Sequence, residues 1–134
     1  MRVVLDTNVL ISGIFFSGHP GRILQASRTR KFRLLVSTEV LEEYLAVAER
    51  LARRYSGVEY AGILGLIVQN AELVPSVALP EAVCEDADDD KFLACALTGN
   101  ASIVVSGDRD LLDVSGYGGI RVLSPKAFVT EFLD

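Results

Sequence analysis

The sequence predicts an α/β fold in which a mostly parallel sheet is sandwiched by helices, and three observations lead there. The strand candidates, RVVLD at 2–6 and IVVS at 103–106 among them, are continuous apolar runs typical of strands buried on both faces. Helical patterns alternate with these runs along the chain. At 134 residues, half of them hydrophobic, the chain can bury a real core as one domain, residues 1–134.

RVVLD stops at Asp6 and is followed by TNVLISGIFF and the turn signals of SGHPG. GRILQASRTRK (21–31) reads as a helix and FRLLVS (32–37) as a second buried strand. STEVLEEYLAVAERLARRY (37–55) is strongly periodic, with Ser37 or Thr38 placed as its N-cap. VEYAGILGLIVQNA (58–71) is expected to be helical despite its glycines, leading into a short ELVPS strand. VALPEAVCEDADD (77–89) reads as a loop, DDKFLACAL as a helix, and ASIVVSGD as a strand ending at Asp108. GIRVLS is the last strand, and SPKAFVTEFL the closing helix with Ser124 as N-cap. Repeats, low-complexity tracts and linkers are absent from the sequence.

Composition narrows the function classes. No apolar run approaches membrane-spanning length, and the aspartate of MRVVLDTN comes too early for a signal peptide. Cys84 and Cys95 have no metal or redox spacing, so free thiols in a reducing cytoplasm are expected. One histidine, His19, in the turn sequence SGHPG, argues against a zinc cluster or a histidine-based triad. The net charge of −5 argues against a general nucleic-acid coat protein. Charge is unevenly spread, however. Eight basic residues between Arg22 and Arg54 outnumber four glutamates, and acids dominate from Glu85 to Asp113.

In parallel sheets ligands bind outside the carboxyl ends of the strands, where the strand order switches. Two strands end alike, VVL-Asp6 and IVVSG-Asp108, so their carboxylates are expected at one edge. In EDADDD (85–90), helix geometry separates the acids. At about 100° per residue, Phe92, Leu93, Ala96 and Leu97 form one apolar arc. Asp89 falls near the middle of that arc, Asp88 and Asp90 flank it, and Glu85 and Asp86 precede the helix. On the long helix, Glu43 sits at the edge of the apolar face, close to Val40 and Val47, whereas Glu39 and Glu42 point away. Each acid alone has an ordinary reading as a helix cap or a turn residue. Together they form carboxylates from well-separated segments with no lysine or arginine expected to match them. Such groups raise one another's pKa values, a conflict that a hard divalent cation resolves, and oxygen-only ligands favour magnesium or manganese.

VVLDTNVLIS, VSTEVLEEYLAV, DADDDKFLACAL and IVVSGDRDLL occur in the order and spacing of PIN-domain ribonucleases, and the chain resembles the toxin branch related to VapC over nearly its whole length. The resemblance implies an α/β/α sandwich, an acidic pocket for one or two Mg²⁺ or Mn²⁺ ions, and hydrolysis of single-stranded RNA leaving a 5′ phosphate. It places the catalytic and metal-binding acids at Asp6, Glu43, Asp89 and Asp108, with Asp110 as an accessory ligand and Asn8 and Ser106 as polar support. Ala87 stands where this branch often has proline. A small antitoxin that blocks the pocket by inserting an arginine among the acids, and homodimerisation, are also implied. Arg22, Arg28 and Lys31 are candidates to hold the RNA backbone. Two other readings compete. One is a catalytically degenerate PIN fold that binds RNA or protein. The other is a haloacid-dehalogenase-like phosphatase, which Asn8 and Leu112 oppose because its motifs require acids at those positions.

Overall fold

The computed structural model describes residues 1–57 and 59–134. Five parallel strands form one sheet in the order β3-β2-β1-β4-β5. They are β1 (Arg2–Leu5), β2 (Arg33–Ser37), β3 (Glu72–Val74), β4 (Ile103–Val105) and β5 (Arg121–Leu123). Between them run α1 (Thr7–Phe15), α2 (His19–Arg28), α3 (Thr38–Ala52), α4 (Tyr60–Asn70), α5 (Asp90–Thr98) and α6 (Arg109–Leu112), and α7 (Pro125–Phe128) follows. α5 packs across β1, β2 and β4; α1 packs with α2, α3 and α4, and α2 with α7, completing the three-layer α/β/α sandwich. Val3, Val4, Leu5 and Val104 are fully buried between the layers, as continuous apolar strands require.

The caps follow side-chain chemistry. Ser37 Oγ accepts from the Val40 N–H at 3.3 Å and Ser124 Oγ from the Ala127 N–H at 3.1 Å, each satisfying an orphan donor of a first helical turn. After α7 the chain continues through a wider turn, Val129–Leu133, in which the Asp134 N–H reaches the Val129 carbonyl at 3.0 Å.

Several expectations need correction. His19 opens α2 instead of lying in a turn. The helix expected from Val58 runs from Tyr60, and Val58 lies outside the described residues. β4 stops at Val105, three residues before Asp108, although the Ser106 N–H still bonds to the Leu123 carbonyl at 2.9 Å. Leu97 is 40% exposed and leaves the buried arc of α5, which turns toward Cys95 because α3 packs on this helix as well as the sheet.

Gly13 shows why α1 tolerates glycine. A Cβ there would stand 2.6 Å from Leu24 Cγ and 2.7 Å from the Pro20 carbonyl, where α1 and α2 close on each other. Gly13→Ala is therefore expected to destabilise the fold by about 1–3 kcal/mol despite its better helix propensity. Urea unfolding measures this, and a neutral or stabilising effect would refute the packing argument.

Candidate functional site

β1 is the middle strand. From it the chain builds β2 and β3 to one side, then β4 and β5 to the other, so the strand order reverses between β1 and β4. The carboxyl ends of these two strands therefore open a crevice. The Asp6 N–H bonds to the Val105 carbonyl at 2.9 Å, tying the two strand ends together. Ser106, fully buried, links the side chains. Its hydroxyl donates to Asp6 Oδ2 at 2.6 Å and accepts from the Asp108 N–H at 2.9 Å. Asp6 is thus buried yet oriented, and its pKa is raised chiefly by burial. The charges of Asp108 and Glu43 add to the rise, while the Ser106 hydroxyl and the Thr7 N–H oppose it. Asp108 also caps α6, with Oδ1 accepting from the Asp110 N–H at 3.0 Å.

The structure sorts the acidic block EDADDD. Asp86 caps the short 3₁₀ turn Ala87–Asp89 by accepting from the Asp88 N–H at 3.0 Å. Asp88 faces Lys91 at 3.1 Å. Asp90 clasps the preceding loop, accepting from the Cys84 N–H at 2.7 Å and the Val83 N–H at 3.2 Å. Burial raises the pKa of Asp90, but these hydrogen bonds outweigh it and hold the group below the usual range. Asp88 and Asp89 both border the crevice, but Asp88 is held by Lys91 and only Asp89 joins the other acids. One carboxylate oxygen from each of Asp89, Asp108 and Asp110 lies within 4.8 Å of the others. Burial, then the charges of Asp108, Asp6, Asp86 and Asp110, push the Asp89 pKa up to about 7. Asp110, an accessory in the sequence reading, stands as close to this cluster as Asp108.

Glu43 reaches the crevice from α3, where it is held on both sides. The Thr7 hydroxyl donates to Oε2, and Lys91 Nζ lies 2.8 Å from Oε1. The expectation that no cation matches the acids is thus corrected. Lys91 lies within the DDDK motif, and its distance of three residues from Asp88 on a helix was a readable signal.

Asp6, Asn8, Glu43, Asp89, Asp108 and Arg50 line one cleft of about 400 Å³. Asn8 is exposed at this cleft. Arg22, Arg28 and Lys31 are not brought to it. Arg22 pairs with Asp134 at 2.7 Å. Arg28 is exposed on the last turn of α2. Lys31 lies just before β2, at the sheet edge opposite the acids. Arg50 is the cation that sequence reasoning passed over, because its position beside Glu43 depends on how α3 leans across the strand ends. The donors facing the cleft are oxygens, a set that suits a hard divalent cation and not zinc.

The family model of the PIN domain matches residues 2–110. The uncharacterised protein MJ1680 of Methanocaldococcus jannaschii is 34% identical over 146 aligned positions, which span 98% of this chain and 92% of that protein. A crystal structure of VapBC2 from Rickettsia felis, bound to a DNA fragment from their promoter, contains a chain that superposes with a TM-score of 0.62. The match covers 92% of this chain and 98% of that chain at 13% identity, a likeness of fold.

Because the folded protein favours neutral Asp89 up to about pH 7, this residue's contribution to stability is full below its unfolded pKa and is lost as pH rises through the folded one. Without divalent cations, unfolding free energy is expected to fall by about 1–3 kcal/mol between about pH 4 and 7, reduced from the full linkage value because the group is partly exposed. Asp89→Asn should flatten that slope in urea titrations at several pH values. A slope unchanged by the substitution would contradict the assignment.

Proposed function

This chain belongs to the PIN-domain family, whose members are generally nucleases, and on that premise we propose that it is a divalent-metal-dependent endoribonuclease acting on single-stranded RNA. The observation that carries this reading is the convergence of Asp89, Asp108 and Asp110 beside the buried Asp6, with no cation among these four side chains. Asp6, Asp89, Asp108 and Asp110 would hold one or two Mg²⁺ or Mn²⁺ ions. When bound, such an ion supplies a water of lowered pKa and stabilises charge on the phosphoryl oxygens.

The chain's own residues prepare the site. Ser106 fixes Oδ2 of Asp6, a residue that lines the cleft. Thr7 and Lys91 hold Glu43 against the cleft wall, each occupying one oxygen. A carboxylate has about four acceptor positions, so Glu43 can still orient a water. Arg50 offers a charge to a phosphate at the cleft, and the Asn8 amide offers donors to phosphate or sugar.

The fold likeness to VapBC2 supports a further step, that the protein is the toxin of a toxin–antitoxin pair acting in the cytoplasm. Its partners would be a small antitoxin covering the acidic cleft and a second copy of the chain. Co-expression with the product of an adjacent short reading frame is expected to suppress both activity and toxicity. A neighbour that neither binds nor rescues growth would remove the toxin role and leave the nuclease role standing.

Asp6→Asn and Asp89→Asn should each slow Mg²⁺- or Mn²⁺-dependent cleavage of single-stranded RNA by about a hundredfold or more, the scale of losing several kcal/mol of transition-state stabilisation. If purified Asp89→Asn cleaves at the wild-type rate, the assignment is wrong. Ser106→Ala leaves every carboxylate in place but frees Asp6, and should weaken Mn²⁺ binding by about 10–100-fold in calorimetry. A wild-type protein that takes up no Mn²⁺ would indicate a binding module instead of an enzyme.

A further inference from the structure

At the edge of the sheet opposite the acids lies a second cleft, of about 460 Å³, whose lining includes Arg2, Arg30, Lys31 and Arg33. The parallel topology gathers them. Arg2 opens β1, Arg33 opens β2, and Gln69 and Asn70 at the end of α4 complete the wall just before β3. Arg2 and Arg33 stand side by side in register, an arrangement that like charges disfavour. Glu72 relieves Arg2 by accepting from both terminal guanidinium nitrogens. Arg33 feels the same carboxylate without bonding to it. Among the described residues, Arg30, Lys31 and Arg33 make no ion pair.

Arg30 supplies an independent observation. α2 ends in a turn where the Arg30 N–H bonds to the Ser27 carbonyl at 3.1 Å and the Lys31 N–H to the Ala26 carbonyl at 2.9 Å. This requires φ of +61° at Arg30, a left-handed position that usually belongs to glycine. The matching turn after α5 has Asn100 at φ +56°, a residue type that tolerates this conformation. The negative end of the α2 dipole favours a nearby cation, but Arg28 and Lys31 already provide that without left-handed backbone. A strained backbone that presents a guanidinium to a cleft points to a ligand.

The acid-lined cleft needs such help. Among its lining side chains Lys91 is absent and Arg50 is the one cation, while the protein as a whole carries −5. A polyanion therefore finds little attraction where hydrolysis is placed.

We propose that the cleft lined by Arg30, Lys31 and Arg33 is a docking site for the phosphodiester backbone of single-stranded RNA, holding one part of a strand while the acidic cleft acts on another. The choice of RNA as ligand rests on the nuclease reading above. The four residues of β1 separate the two edges by about 13 Å. An extended strand of several nucleotides spans that distance around the molecule.

The test is fluorescence anisotropy with a labelled single-stranded RNA of about twenty nucleotides, in EDTA so that binding is read without cleavage. Arg30→Gly should raise the thermal midpoint by about 3 °C, because the left-handed strain is relieved, and yet weaken RNA binding. The triple variant Arg30→Gly/Lys31→Gln/Arg33→Gln should weaken it about tenfold or more near 0.1 M salt and reduce the salt slope by about 2, at roughly 0.7 per phosphate contact on a single strand. With Mg²⁺, its KM for the long RNA should rise while kcat is kept, and cleavage of a tetranucleotide should not change. Triple-variant binding with wild-type affinity and slope would overturn the proposal. So would preferential capture of a polyglutamate peptide that depends on the same three residues, which would assign the cleft to an acidic protein surface. If the wild type cleaves no RNA but the triple variant loses RNA binding, the nuclease reading falls and the docking site stands.

Discussion

The hydrogen bonds of one buried hydroxyl organise the acidic edge. Ser106 lies one residue beyond β4, donates to the Asp6 carboxylate and accepts from the Asp108 N–H, so both aspartates are referred to the same atom. Without it, two chain segments leaving adjacent parallel strands would be free to swing their carboxylates apart, as electrostatic repulsion prefers. The strand order supplies the location, because the reversal between β1 and β4 leaves no crossover lying over their ends. The hydroxyl supplies the orientation. A serine suits both tasks, since it donates once and accepts as well, and is small enough to be fully buried.

Around that centre, four successive residues of the chain serve four different environments. Asp88 meets Lys91, Asp89 faces the crevice, Asp90 holds the backbone of Val83 and Cys84, and Lys91 returns to Glu43 on another helix. The crowding of charge in this block is thus resolved by direction. Among the described residues Asp89 has neither a cation nor a backbone N–H to answer its charge, and it is the acid whose pKa climbs to about 7. The lysine links α3 to α5, so the position of Glu43 and the start of α5 are set together.

Much of this is legible in the amino-acid sequence. Continuous apolar runs announced buried parallel strands, and the helical arc singled out Asp89 from its neighbours. Other features were hidden for identifiable reasons. Gly13 looks like a helix breaker, yet its value lies in the space it leaves for Leu24 and Pro20, a tertiary matter. The reach of Lys91 back to Glu43 crosses 48 residues and has no local signature. The basic run of α2 invited assignment to the acidic cleft. A parallel crossover, however, must deliver its end to the start of the next strand, so Lys31 was bound to the opposite edge. That inference needed only topology.

The Asp90 clasp has a mechanical consequence. The chain from Pro75 to Asp86 contains no helix or strand, and such a segment would ordinarily transmit its motions to whatever follows. Here two backbone N–H groups are moored to a side chain of the first turn of α5, just before the acidic block begins. The loop can lengthen, shorten or bend upstream of Val83 while the register of Asp89 stays fixed. Asp90 thus insulates an exposed, irregular segment from an edge that tolerates little displacement.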